Sequence, residues 1–142
     1  MLNKLFFLLV NVLVVGSGGR EHALSWKLSK SPKVDTVFTA PGNGGTKNNV
    51  SINVDDLDGL SDFAQKNNCF TVVGPEDPLA AGIVDKFNQK NLKVFGPSQK
   101  ASQLESSKIW AKHFMQRNDI PTARFEIFDE AQKAQDYVQS LD

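Results

Sequence analysis

Three short stretches of this chain carry residue types and spacings that could handle an anion or a sugar. The first is Gly16-Ser17-Gly18-Gly19-Arg20, which joins the apolar run Val12-Leu13-Val14-Val15 to a segment beginning at Glu21. A glycine turn between a buried strand and a helix leaves N–H groups at the helix start pointing toward the strand end. The helix macrodipole favours an anion at that point. Arg20 adds a fork-shaped cation suited to phosphate or carboxylate. The competing reading is a tight βα turn whose glycines only permit positive φ. A Gly-x-Gly-x-x-Gly fingerprint would need its third glycine at Glu21, and no Gly-Lys-Ser/Thr follows. Neither a nicotinamide cofactor nor a Walker-type site is therefore expected.

The second stretch is Pro41-Gly42-Asn43-Gly44-Gly45-Thr46, which follows a strand predicted over Val34 to Ala40. Its N–H groups and short polar side chains suit phosphate or sugar hydroxyls, and a plain connector would have the same composition. The third is Gly74-Pro75-Glu76-Asp77-Pro78, after a strand predicted over Phe70 to Val73. Asp77 before Pro78 reads as an N-cap followed by a first helical residue. Glu76 stands where ligands of open parallel sheets collect; its carboxylate can accept hydroxyl hydrogen bonds or hold an amine, or it is a solvated turn charge. Cys69 reads as a small core residue, and His22 and His113 as packing or surface residues.

These stretches need a frame to hold them. Val12–Val15, Val34–Ala40, Phe70–Val73 and Leu92–Phe95 read as strands, and the segments between them have helical periodicity: Glu21–Ser29 with Ala23, Leu24 and Leu28 on one side, Asp55–Asn67, and Leu79–Gln89. Alternation of strand and helix means α/β, an open parallel sheet with helices on both faces. Beyond Ser98 the pattern changes to helices over 98–104 and 106–118, a strand over 123–128, and a helix capped by Asp129 and Gln132 that reaches Leu141. One strand and two helices do not close a core, so this segment reads as the opening of a second, incomplete domain. Trp110 and Phe114, four apart, read as a packed pair.

The 142 residues include 16 basic and 16 acidic side chains with no long block of either sign, so no nucleic-acid-binding stripe is expected. The one cysteine precludes an internal disulfide or a cysteine-rich zinc site and fits a reducing, cytoplasmic setting. Met1 to Val10 has the lysine and apolar run of a secretory signal, but removing it would cut at the core strand, and the run is too short for a membrane span. It reads as an appended extension, residues 1–11, outside the fold.

Val-Leu-Val-Val-Gly-Ser-Gly-Gly-Arg-Glu-His-Ala-Leu from Val12, Ala-Pro-Gly-Asn-Gly-Gly-Thr from Ala40, Val-Val-Gly-Pro-Glu-Asp-Pro-Leu from Val72 and Phe-Gly-Pro-Ser from Phe95 occur together and in order. With Gln-Leu-Glu-Ser-Ser-Lys from Gln103 and Asp-Ile-Pro-Thr-Ala from Asp119, they resemble the N-terminal part of the glycinamide ribonucleotide synthetase (phosphoribosylamine–glycine ligase) family, over Val12 to about Tyr137.

The resemblance implies a Rossmann-like preATP-grasp domain over 12–102 and the start of an ATP-grasp domain over 103–142. It further implies an ATP-dependent carbon–nitrogen ligase of purine biosynthesis, in which glycine's carboxylate is phosphorylated and the amine of 5-phosphoribosylamine attacks the acyl phosphate. The implied ligands are small molecules (phosphoribosylamine, glycine and ATP with Mg2+ or Mn2+), with no nucleic acid and no membrane. By motif position, Gly16, Ser17, Gly18, Gly19 and Arg20 would lie near the sugar phosphate. Asn43, Gly45, Thr46, Gly74, Pro75 and Glu76 would surround the ribose and amine, and Lys108 would approach the nucleotide phosphates. Asp77 stands where alanine is more usual in the family. No catalytic residue and no metal ligand is expected in this stretch, since the family's nucleotide lid and metal carboxylates lie further along its chains, and the 142-residue polypeptide is expected to be inactive alone. The other readings are a non-catalytic sugar-phosphate-binding module or an interaction fragment.

Overall fold

A computed structural model describes residues 9–141. The expected N-terminal extension or signal falls mostly on residues 1–8, outside the described residues. The described chain forms two compact units, which divide at Ser106.

The first unit contains a four-stranded, all-parallel sheet in the order β2-β1-β3-β4, with β1 over Val10–Gly16, β2 over Val34–Pro41, β3 over Cys69–Val73 and β4 over Val94–Phe95. The helices are α1 (Gly19–Leu28), α2 (Leu57–Lys66), α3 (Glu76–Ala80), α4 (Ile83–Gln89) and α5 (Gln99–Ser106). β1 starts two residues before the expected Val12. Asn11 pairs with Cys69, and its side-chain amide donates to Asn67 O at 2.9 Å, so a polar residue is accommodated at the strand's start.

β1 is buried on both faces, which is why it reads as continuous Val and Leu rather than an alternation. Val12 and Val14 face one way, with Val37 and the half-buried Leu24 and Leu28 of α1. Leu13 and Val15 face the other, in a larger cluster with Leu60 and Ala64 of α2 and Ile83, Val84 and Phe87 of α4. Leu13, Leu60, Ile83 and Phe87 are fully buried, and each such side chain contributes about 1.5–3 kcal/mol of transfer free energy.

Several local expectations are corrected. The buried positions of α1 are Glu21 and Ser25, whereas Ala23 is exposed. The Ser25 hydroxyl lies 3.0 Å from that of the buried Thr39, so this helix packs partly through polar contact. Asp77 is not an N-cap: α3 begins at Glu76 with extended Pro75 before it, leaving Asp77 in the first turn, where its charge still complements the macrodipole. The single helix expected over Leu79–Gln89 is two, separated at Gly82 with φ +89°.

The second unit has α6 (Lys108–Arg117) and α7 (Ala131–Gln139). Residues 121–128 form no strand. Strand geometry requires a neighbour to complete its hydrogen-bond ladder, and no strand is present among this unit's described residues. Asp129 does not cap α7; Glu130 is the N-cap residue, and Asp129 bonds Lys133 at 3.0 Å. Trp110 stacks on Phe114 at 5.2 Å and Phe128 packs on Tyr137 at 5.3 Å, yet Ala111 is the one buried hydrophobic residue among those described in this unit. Ile109, Val138 and Leu141 are exposed.

Candidate functional site

The chain runs from β1 through α1 to β2 on one side, then through α2 to β3 on the other. That reversal opens a crevice at the carboxyl ends of β1 and β3, where ligands of open α/β sheets collect. Residues 16–20, 41–46 and 74–76, widely spaced in sequence, all lie at these strand ends. The register brings Gly16 opposite Pro41 and Val15 opposite Val73. Gly42 N donates to Gly16 O at 3.2 Å, and Gly74 N to Val15 O at 3.1 Å.

Side chains tie these loops together. The Asn43 side-chain amide donates to Ser17 O at 2.8 Å and to Gly18 O at 3.2 Å, and its Oδ1 accepts from Gly45 N at 2.8 Å. Thr46 Oγ1 accepts from Asn43 N at 2.8 Å and donates to Asn49 Oδ1 at 2.6 Å. Arg20 donates from Nη1 to Gly74 O, spanning the loops after β1 and β3, while its side chain stays largely exposed. In this structure Asn43 and Thr46 therefore spend their polar groups ordering the loop.

α1 begins at Gly19, with Gly18 as N-cap in extended conformation. The N–H groups of Gly19, Arg20 and Glu21 have no intrahelical acceptor, as in any first turn. Gly18 N is instead taken by Glu21 Oε2 at 2.7 Å. Sequence reasoning misses Glu21, which is 4% exposed and packs among glycines of the loops after β1 and β3. The signal for it was a glutamate three residues after an N-cap, the spacing of a capping box.

Glu76 is the first residue of α3 and is exposed, and Gly74 is buried at the end of β3. Lys108 is the exposed first residue of α6, in the second unit. Ser107 caps that helix by accepting from Trp110 N at 3.3 Å. Among the described residues no group of three or more His, Cys, Asp or Glu side chains comes together to hold a metal, and no helix is long and apolar enough to cross a membrane. Burial pushes the Cys69 thiol up to about 11, which suits a core residue rather than a nucleophile.

A cavity of about 380 Å³ lies beside the crevice, with His22, Trp26, Lys30 and Lys47 in its wall. It shares Gly45 and Thr46 with the expected residues and none of 16–20 or 74–76. An anion held by backbone N–H groups needs a helix start, and the cavity wall includes none of residues 16–20, so the strand-end crevice is the better candidate for an anion.

Residues 10–105 match the family described as phosphoribosylglycinamide synthetase, N domain, and residues 106–142 match its ATP-grasp (A) domain. The chain is 56% identical over 133 residues to the phosphoribosylamine–glycine ligase of Ralstonia nicotianae, covering 91% of this chain and 32% of that protein. It is 56% identical to the enzyme of the same name from Neisseria meningitidis serogroup B (91% and 31% covered) and 51% identical to that of a Nostoc species (92% and 32%). The chain thus spans about a third of the length of the curated relatives it matches.

Proposed function

This chain belongs to the phosphoribosylglycinamide synthetase family, and from that premise we propose that its first unit supplies the phosphoribosylamine half-site of a phosphoribosylamine–glycine ligase. The whole reaction under this proposal joins glycine to 5-phosphoribosylamine at the expense of ATP, yielding glycinamide ribonucleotide, ADP and phosphate, in the cytoplasm. What carries the reading is the convergence of three loops, distant in sequence, on the carboxyl ends of β1, β2 and β3, tied by Arg20 and Asn43.

In this proposal the phosphate sits on the open N–H groups at the start of α1, with Ser17 and the Arg20 guanidinium beside it. Asn43, Gly45 and Thr46 form the wall against the ribose. Gly74 and Pro75 bring Glu76 to the opposite rim, where its carboxylate can accept from ribose hydroxyls or hold the attacking amine near the site of reaction. Binding the amine in one orientation replaces a bimolecular encounter with a positioned one. Bound ATP with its metal would supply the activated acyl phosphate. The described residues do not gather the oxygen donors a Mg2+ ion needs, so no step through the metal is assigned to them. Lys108 is proposed to meet the nucleotide phosphates. We also place the boundary between the two family domains at Ser106 rather than Ser102, because α5 packs against α3 and α4 within the first unit.

The test is a titration with ribose 5-phosphate, a stable stand-in for phosphoribosylamine, read by thermal shift. Saturable stabilisation that is lost in Arg20→Ala and reduced in Glu76→Ala is expected. A cooperative melt that the ligand leaves unmoved would overturn the half-site.

A further inference from the structure

Capping Gly18 N accounts for only one oxygen of the buried Glu21 carboxylate. Glu21 stands at the third position of the first turn of α1, where a dinucleotide-binding chain would carry its third glycine. Three glycines from two loops surround it. A Cβ on Gly16 would come within 2.5 Å of Glu21 Cγ, one on Gly18 within 3.0 Å of Oε2, and one on Gly74 would overlap Oε1. Gly16, Gly18 and Gly74 therefore leave the space that this side chain fills, whereas a Cβ on Gly19 would meet nothing within 4 Å.

Its charge is met locally. Oε2 accepts from Gly18 N at 2.7 Å, Arg20 Nε lies 3.9 Å from Oε1, and the positive end of α1 surrounds both oxygens. The adjacent Arg20 in turn donates to Gly74 O. One buried side chain thus holds the Gly18 amide, packs between the β1 and β3 loops, and lies against the arginine that spans them.

We propose that Glu21 is a positioning residue: bonded to Gly18 N and packed against Gly74, its side chain holds the loop after β1 in place against the loop after β3. The role at the site rests on the sugar-phosphate reading above; the tie between loops does not.

Two measurements on the full chain decide it. The first is a thermal-midpoint cycle of Gly74→Ala, Glu21→Ala and the double variant. Gly74→Ala alone is expected to lower the midpoint by several degrees, because its new methyl meets Glu21. In the Glu21→Ala background the same change is expected to cost little, and additive losses would overturn the tie. The second is ribose 5-phosphate affinity. Glu21→Gln keeps an acceptor of the same shape and is expected to bind within about 3-fold of the parent, whereas Glu21→Ala, assayed below its midpoint, is expected to bind at least 10-fold more weakly. A parent that binds while Glu21→Ala binds equally well overturns the positioning role alone. A parent that does not bind overturns the half-site and the positioning role, and the midpoint cycle still decides whether the carboxylate joins the loops.

Discussion

Asn43 gives a sharp test of how the site is assembled, because its two ends do different work. Nδ2 donates to two carbonyls of the β1 loop and Oδ1 accepts from Gly45 N. Asn43→Ala removes all three bonds. A neutral hydrogen bond is worth about 0.5–1.5 kcal/mol net, and the low end applies here because the freed groups regain water. The expected loss is therefore about 1.5 kcal/mol, or about 6 °C in Tm for a domain of this size.

Asn43→Asp is more telling. It keeps the acceptor for Gly45 N but turns an oxygen, rather than an N–H, toward Ser17 O and Gly18 O. It is expected to be no more stable than the Ala variant at pH 7. Its deficit should shrink below about pH 4, when the new carboxyl protonates and can donate again. Urea unfolding at 25 °C, followed by tryptophan fluorescence at pH 7 and pH 3.5, measures both. An Asp variant as stable as the parent at pH 7 would refute the donor role assigned to Nδ2.

Phe87→Ala empties a fully buried site in the larger core cluster and should cost about 3–5 kcal/mol in urea unfolding; a loss under about 1 kcal/mol would contradict its burial. Gly82→Ala forces a side chain into φ +89° without a close steric contact, so the cost is the backbone's own, about 1–2 kcal/mol, and an unchanged midpoint would show that α3 and α4 do not need that conformation. The Cys69 thiol is held up near 11 by burial, against an ordinary 9.0. The unfolded chain therefore loses this proton at lower pH than the folded one, and stability should fall as pH rises from about 9 to about 11. Cys69's share of that slope should be lost in Cys69→Ala, and a thiol reagent at pH 8 should label the native protein far more slowly than the unfolded one.

The parallel sheet was legible because β1, β2 and β3 are dense in Val and bounded by glycine or proline. The candidate loops at the strand ends were legible because glycine, asparagine and an isolated carboxylate cluster just after those strands. Glu21's contact with Gly74 was not, because the two residues lie far apart in sequence and its reason is the space left by glycines on two loops. Asp77-Pro78 looked like a helix start since local chemistry favours it, but Pro75 already sits in extended backbone and the turn closes one residue sooner. Gly82 lies inside the segment expected as one helix over Leu79–Gln89, and its positive φ breaks that helix. Residues 123–128 alternate as a strand would, and alternation alone does not supply the neighbour that makes one.

The order of the sheet has a consequence for how the molecule opens. β1 is bonded along both edges, while β4 is paired over Thr71–Val94 and Val72–Phe95 only, at the margin. Amide hydrogens of β4 should exchange with solvent through small local fluctuations, and those of Leu13, Val14 and Val15 only when the first unit unfolds as a whole. The Arg20 stretch thus grows from the strand that lets go last, so the start of α1 can keep its geometry through partial openings that loosen the far margin of the sheet.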